Sequence, residues 1–178
     1  TRDRKAATRS AEERYSRVAD LICDQGWFGR KTGQGYYIYE GGKQQGGNPG
    51  AFEIVAAERR ALNLPKRSFT SEEIVSRCLT AMIAEAVRVL EEGIALRPVD
   101  IDAVEPFGYG FPRHRGGPMH QADLIGPAEL IRRIELYANE DPQFWQVPHL
   151  LRDMAREGRS FADLNSAAPG HVTKGSTK

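Results

Sequence analysis

The stretch from Ser71 to about Leu96 constrains this chain more than any other. Ile74, Val75, Cys78, Leu79, Met82, Ile83, Ala86, Leu90 and Ile94 recur at the three- and four-residue steps of an α-helix and make a wide apolar stripe. Glu72, Glu73, Arg77, Glu85, Arg88, Glu91 and Glu92 occupy the other faces. Thr70 and Glu73 are spaced as a capping box, with Phe69 and Ile74 at the staple positions on either side. A helix of that extent is about 39 Å long. That is long for a chain of 178 residues, so other elements are expected to pack around it.

The flanking sequence also reads as helix and turn. Ser10 and Glu13 form another capping box, followed by Tyr15, Val18, Ala19 and Ile22 at helical spacing, with Gly26 as the stop. After the glycines at 29, 33 and 35, Tyr36-Tyr37-Ile38-Tyr39 reads as a short extended segment. Glu40 to Gly50 reads as a Gly/Gln-rich loop and a domain boundary. Asn48-Pro49 opens a helix to about Leu62. Beyond the long helix, Asp100 is expected to cap a short helix through Val104. Further helices are expected from Gly117-Pro118 to Ile125, from Pro127 to Tyr137, and from Pro148 to Glu157. Residues from Ala167 to Lys178 read as a flexible tail. The run Val18, Leu21, Ile22, Gly26, Phe28 is echoed by Leu150, Leu151, Met154, Gly158, Phe161, a faint internal repeat. The expected fold class is all-α, with one extended segment near residues 36–39.

Charge and composition narrow the function classes. The formal net charge is +1, which gives neither nucleic acid nor an anionic membrane a field to bind. No apolar run approaches the length of a membrane span. Thr1 to Lys5 is charged with no apolar run behind it, and Gly175 to Lys178 is not a peroxisomal tripeptide signal, so the cytoplasm is the expected location. The chain lacks an initiator methionine and is expected to be a piece of something longer. Cys23 and Cys78 fall inside apolar helical patterns and are expected to be reduced and buried.

Few residues suggest chemistry. Lys31 and Thr32 sit in a glycine-rich turn, but a phosphate loop needs a preceding strand and a following helix. Here the order is reversed, and a structural turn is expected. No Gly-x-Gly-x-x-Gly follows a strand, so no dinucleotide fold is expected in this segment. Arg113 and Arg115 stand just before the helix start at Gly117-Pro118, where a phosphate or carboxylate could dock. The simpler reading has these arginines paired with Asp100, Asp102 or Asp123. His114 and His120 are six apart without an acidic or thiol partner at ligand spacing, so no metal site is expected.

Three stretches together resemble a known family. Gly29-Arg30-Lys31-Thr32-Gly33-Gln34-Gly35-Tyr36-Tyr37 is similar to the signature closing the first helical repeat of 3-hydroxyacyl-CoA dehydrogenases. Glu85 to Ala95, Pro98 to Asp102, and Gly108 to Pro118 resemble the second repeat. That second repeat is typical of multifunctional fatty-acid β-oxidation enzymes, which join an enoyl-CoA hydratase to the dehydrogenase. The resemblance implies a helical domain of the 3-hydroxyacyl-CoA dehydrogenase C-terminal type, akin to the C-terminal domain of 6-phosphogluconate dehydrogenase. It implies that residues 1–47 end a first helical repeat, that 48–166 form a second, and that 167–178 are tail.

It further implies a parent that oxidises 3-hydroxyacyl-CoA with NAD. The catalytic His and Glu of the family lie in a Rossmann domain and have no counterpart here. The active-site Asn of the family opens the long helix of the first repeat, in an Asn-Arg pair. In the second repeat that place is Ser76-Arg77, so no catalytic residue is expected in this chain. The usual Asn-Glu-Ala on that helix is Ala84-Glu85-Ala86. Expected partners are the Rossmann and hydratase domains of the same polypeptide, with acyl-CoA as the parent's substrate and a thiolase as a further candidate. The competing readings are a stand-alone helical interaction module, and a helper that binds CoA phosphate through Arg113 and Arg115.

Overall fold

A computed structural model describes residues Tyr15–Ser166. The chain divides into two compact units, residues 1–68 and 69–178. The expected Ser10–Glu13 capping box and the expected tail lie outside the described residues.

The first unit holds helix α1 (Val18–Asp24), strands β1 (Tyr37–Glu40) and β2 (Lys43–Gly47), and helix α2 (Pro49–Ala61). The strands form an antiparallel hairpin, with a register shift between Ile38 and Tyr39. Lys43–Gly47, expected in a loop, forms strand β2. Its Gly/Gln composition carries no strand pattern, and pairing with β1 supplies the order that propensity does not. Asn48 ties hairpin to helix. Its carbonyl oxygen accepts from Gly50 N at 3.0 Å, capping α2, and its amide donates to Gly35 O at 2.9 Å. Helix α2 packs on α1, which carries it into the first unit.

The second unit is built on helix α3 (Ser71–Glu91). Thr70 Oγ1 accepts from Glu73 N at 3.1 Å, as the capping pair predicts. The helix ends at Glu91, not Leu96. Gly93 adopts φ +70°, and Ile94 N bonds back to Val89 O at 3.0 Å, closing a Schellman turn. The glycine overrides the apolar pattern, so Ile94 leaves the stripe. At 21 residues the helix spans roughly 32 Å.

Around it stand α4 (Pro98–Val104), a π-helical turn (Glu105–Tyr109), a 3-10 turn (Arg113–Arg115), α5 (Pro118–Ile125), α6 (Pro127–Ala138), α7 (His149–Glu157) and α8 (Phe161–Leu164). Proline opens α4, α5 and α6, where a missing amide costs nothing. Arg97, not Asp100, precedes the first residue of α4; Asp100 lies inside its first turn. One core joins Ile83, Ala84, Val87 and Leu90 of α3 to Met119, Leu130, Ile134, Leu151, Met154 and Phe161. Both cysteines are exposed free thiols, contrary to the expectation of burial. For Cys78 the cause is the direction of the buried face of α3, which runs through Thr80, Ile83 and Val87 instead. Among the described residues no helix is long and apolar enough to cross a membrane. The observed class is all-α with one two-stranded hairpin.

Candidate functional site

The glycine-rich turn of the first unit spends its polar groups internally. Thr32 Oγ1 accepts from Phe28 N at 2.8 Å and donates to Gln34 O at 3.2 Å. Gly29 N donates to Gln34 O at 2.8 Å, and a Cβ on Gly35 would stand 2.8 Å from the Gly29 Cα. The glycines therefore bring two backbone segments together, as the structural reading of this turn expects. The only sheet among the described residues is a two-stranded antiparallel one, which is not the parallel scaffold a dinucleotide needs.

Ser76 lies one turn into α3. Its hydroxyl is 3.0 Å from the Tyr137 hydroxyl of α6, and Arg133 Nη1 donates to it at 3.4 Å. Arg133 is itself held by Glu129, through Nε at 2.8 Å. The neighbouring Arg77 donates to Glu140 at 2.7 and 3.2 Å and to Glu73 at 3.2 Å. Its guanidinium lies 4.3 Å from the centre of the Tyr137 ring. Burial works against the charged form of Arg77, but Glu140 and Glu73 outweigh it and hold its pKa above the usual arginine range. The cluster thus pairs its charges and joins the start of α3 to the end of α6. Nothing in the sequence pattern singled out Tyr137 or Glu140, because both meet α3 from more than sixty residues away.

The arginine turn lies elsewhere in the second unit. The Arg113 guanidinium sits 4.9 Å from the centre of the Phe107 ring. Arg115 is exposed, and its carbonyl accepts from Gln121 Nε2 at 2.8 Å. The carboxylates expected to pair with these arginines are used otherwise. Asp102 accepts from Met119 N at 2.7 Å and His120 N at 2.9 Å, filling the N-terminus of α5. Burial raises its pKa, and those two amides oppose the rise. Asp123 accepts from Phe161 N at 2.6 Å and Ala162 N at 2.9 Å, capping α8. Asp100 is bound by Arg97 at 2.6 Å, and this hydrogen bond lowers its pKa. Both aspartate caps were illegible in the sequence, since each reaches its helix from a distant segment. Their carboxylates do locally what a bound anion would do at those amides.

Among the described residues no three His, Cys, Asp or Glu side chains could hold a metal ion. What the second unit presents is a fully tied polar cluster at Ser76, two exposed arginines, and an apolar groove beside the π-helical turn.

The helical unit built on α3 defines the class. Residues 74–162 match the model of the 3-hydroxyacyl-CoA dehydrogenase C-terminal domain, and the chain belongs to that family. Among its relatives, the peroxisomal bifunctional enzyme of Danio rerio is 40% identical over 139 residues, covering 77% of this chain. The human peroxisomal bifunctional enzyme is 35% identical over 156 residues, covering 85%. The fatty acid oxidation complex subunit alpha of Idiomarina loihiensis is 30% identical over 164 residues, covering 90%. The chain spans about a fifth of the length of these relatives: 19% of the first and 22% of the other two.

Proposed function

We propose that this chain is the C-terminal helical part of a bifunctional enoyl-CoA hydratase/3-hydroxyacyl-CoA dehydrogenase. The parent oxidises (3S)-3-hydroxyacyl-CoA to 3-ketoacyl-CoA, and NAD, bound on a Rossmann domain elsewhere in the polypeptide, takes up the hydride. This segment contributes packing surface for the Rossmann and hydratase domains and is inactive alone. Residues 1–47 close a first helical repeat, 48–166 form the second, and 167–178 follow as tail. The observation that carries this reading is the family match over 74–162, which falls within the unit built on α3. Ser76, at the place of the family's active-site Asn, supports a non-catalytic role: its hydroxyl is engaged by Tyr137 and Arg133.

The test is a dehydrogenase assay on the purified chain with 3-hydroxyacyl-CoA and NAD. NADH formation at background is the expected result, and turnover above background would overturn the reading. The longer polypeptide should turn over the same substrate. A thiolase, which would cleave the 3-ketoacyl product, is the further partner this reading extends to. The free, exposed thiols of Cys23 and Cys78 suit a reducing compartment, and we place the protein in the cytoplasm. The relatives named peroxisomal make the peroxisome the competing location.

A second reading, CoA-phosphate contact through Arg113 and Arg115, rests on their exposure. With Asp102 on the α5 amides, the arginines alone would supply the positive charge. Titration with CoA that shows no saturation at millimolar ligand removes it. A third reading, a stand-alone interaction module, is decided by whether the reading frame continues upstream into a hydratase.

A further inference from the structure

Between helices α2 and α3 the chain runs through a stretch where a basic pair stands in the open. Every residue from Ala61 to Glu72 is exposed, and residues 64–70 carry no regular secondary structure. Pro65 has no amide to donate and disfavours helix at Leu64, so α2 cannot continue. The stretch is anchored at its two ends. Arg59 Nη1 donates to Leu64 O at 3.1 Å, and Leu64 N donates to Arg59 O at 3.0 Å. Downstream, Thr70 caps α3, and the Arg77 guanidinium lies 5.8 Å from the centre of the Phe69 ring. Between these anchors, neither Lys66 nor Ser68 makes a hydrogen bond or ion pair with a described residue.

The other exposed basic residues outside helices are held by their surroundings. Lys31 sits in the glycine-rich turn, which Thr32 and Gly29 close with hydrogen bonds. Lys43 belongs to strand β2. Arg97 is bound to Asp100 at 2.6 Å. The strongest competitor is the turn at Arg113 and Arg115. There Arg115 N donates to Pro112 O at 2.9 Å, and Arg115 O accepts from Gln121 at 2.8 Å. An endopeptidase binds its substrate as an open strand, so backbone that is already open and exposed is cut first.

We infer that Lys66-Arg67-Ser68 is a site of limited proteolysis, cut by an endopeptidase of trypsin-like specificity that takes Lys or Arg in an acidic pocket. Hydrolysis of the Lys66–Arg67 or the Arg67–Ser68 amide consumes a water. It leaves a carboxylate on the residue before the cut and an ammonium on the residue after it. The two products differ in what holds them. Among the described residues up to Ser68, Ile22 and Ala51 are the only buried apolar side chains. Beyond the cut, Ile83, Val87, Leu130, Ile134, Leu151 and Phe161 share one sealed core. Opening a helix of that core exposes apolar surface, which the open stretch does not. The unit built on α3 therefore outlasts the piece before it.

Timed digestion of the 178-residue chain with dilute trypsin tests this, read by intact mass and by sequencing of fragment N-termini. Within residues 15–166, the first cut is expected after Lys66 or Arg67. The lasting fragment should begin at Arg67 or Ser68 and keep its helical circular dichroism. Replacing both basic residues, Lys66→Gln with Arg67→Gln, should leave the helical content of the chain unchanged. It should slow the release of the unit built on α3 by about tenfold or more. A first cut at Lys31, at Lys43 or anywhere within residues 71–157 overturns the proposal. So does release at an unchanged rate in the double variant, because another opening would then govern it. A fragment 1–66 as durable as 67–178 overturns the inferred difference between the products. The proposal stands apart from the dehydrogenase reading, which turnover tests and digestion does not.

Discussion

The two sides of α3 are both apolar in sequence and differ in the structure. On one side Thr80, Ile83, Ala84, Val87 and Leu90 are buried, four of them in the core with Leu130, Ile134, Leu151 and Phe161. On the other Ile74, Val75 and Met82 are 51, 51 and 38% exposed, and Cys78 is exposed with them. The stripe read as one continuous packing surface is therefore two surfaces. One holds the domain together, and the other contributes Met82 to the open groove. The lesson is energetic. A fully buried large aliphatic side chain is worth about 1.5–3 kcal/mol, whereas one left half in water recovers only part of that. The first face accounts for folding, and the second is left open to water.

Breaking the core should have the largest effect. Phe161 is fully buried where α8 meets α5, and Phe161→Ala should cost about 3–5 kcal/mol in urea denaturation. Ile74→Ala, on the open face, should cost less than about 1 kcal/mol in the same experiment. Equal losses would erase the distinction between the faces. Tyr137→Phe tests the anchor between α3 and α6 by removing the hydroxyl that meets Ser76. A loss of about 1 kcal/mol is expected, and it should largely vanish when Ser76 is already alanine.

Thr80 sharpens the comparison from inside the buried face. Its hydroxyl is buried and finds no hydrogen-bond partner among the described residues. Thr80→Val keeps the shape and removes the stranded polar group, so midpoint stability should rise by about 1 kcal/mol. A decrease would mean that the hydroxyl is satisfied in solution. The smallest effect concerns the half-buried Glu129, which Arg132 and Arg133 hold at a pKa of about 2, against an ordinary 4.5. A folded-state pKa below the unfolded one contributes stability above about 4.5. That contribution is lost as pH falls from there toward 2. Glu129→Gln should therefore lower stability above about pH 4.5, flatten the acid side of the profile, and change little near and below about pH 2. Carboxyl NMR titration reads the same shift directly.

Much of this was legible because it is local. Thr70 with Glu73, Asn48 with Pro49, and the prolines at 98, 118 and 127 mark their helix starts by short-range rules, and the structure honours them. The glycine-rich turn at 29–35 was legible for the same reason. The Asp102 and Asp123 caps, the Ser76–Tyr137 contact and strand β2 were not, because each depends on partners brought in by the fold. The candidate arginines were correctly seen as a pair near a helix start. The carboxylates expected to pair with them are engaged otherwise: backbone amides hold Asp102 and Asp123, and Arg97 holds Asp100.

By itself, the sequence determined the all-α class, the order of the helices and the family resemblance. Those follow from periodicity, caps and motifs that act within a turn or two of chain. Only the tertiary structure decided which side of α3 is core. An apolar stripe specifies that a helix wants company, but which part of it is covered depends on where α5 to α8 arrive. That leaves Ile83 sealed and Met82, its neighbour in sequence, facing the groove.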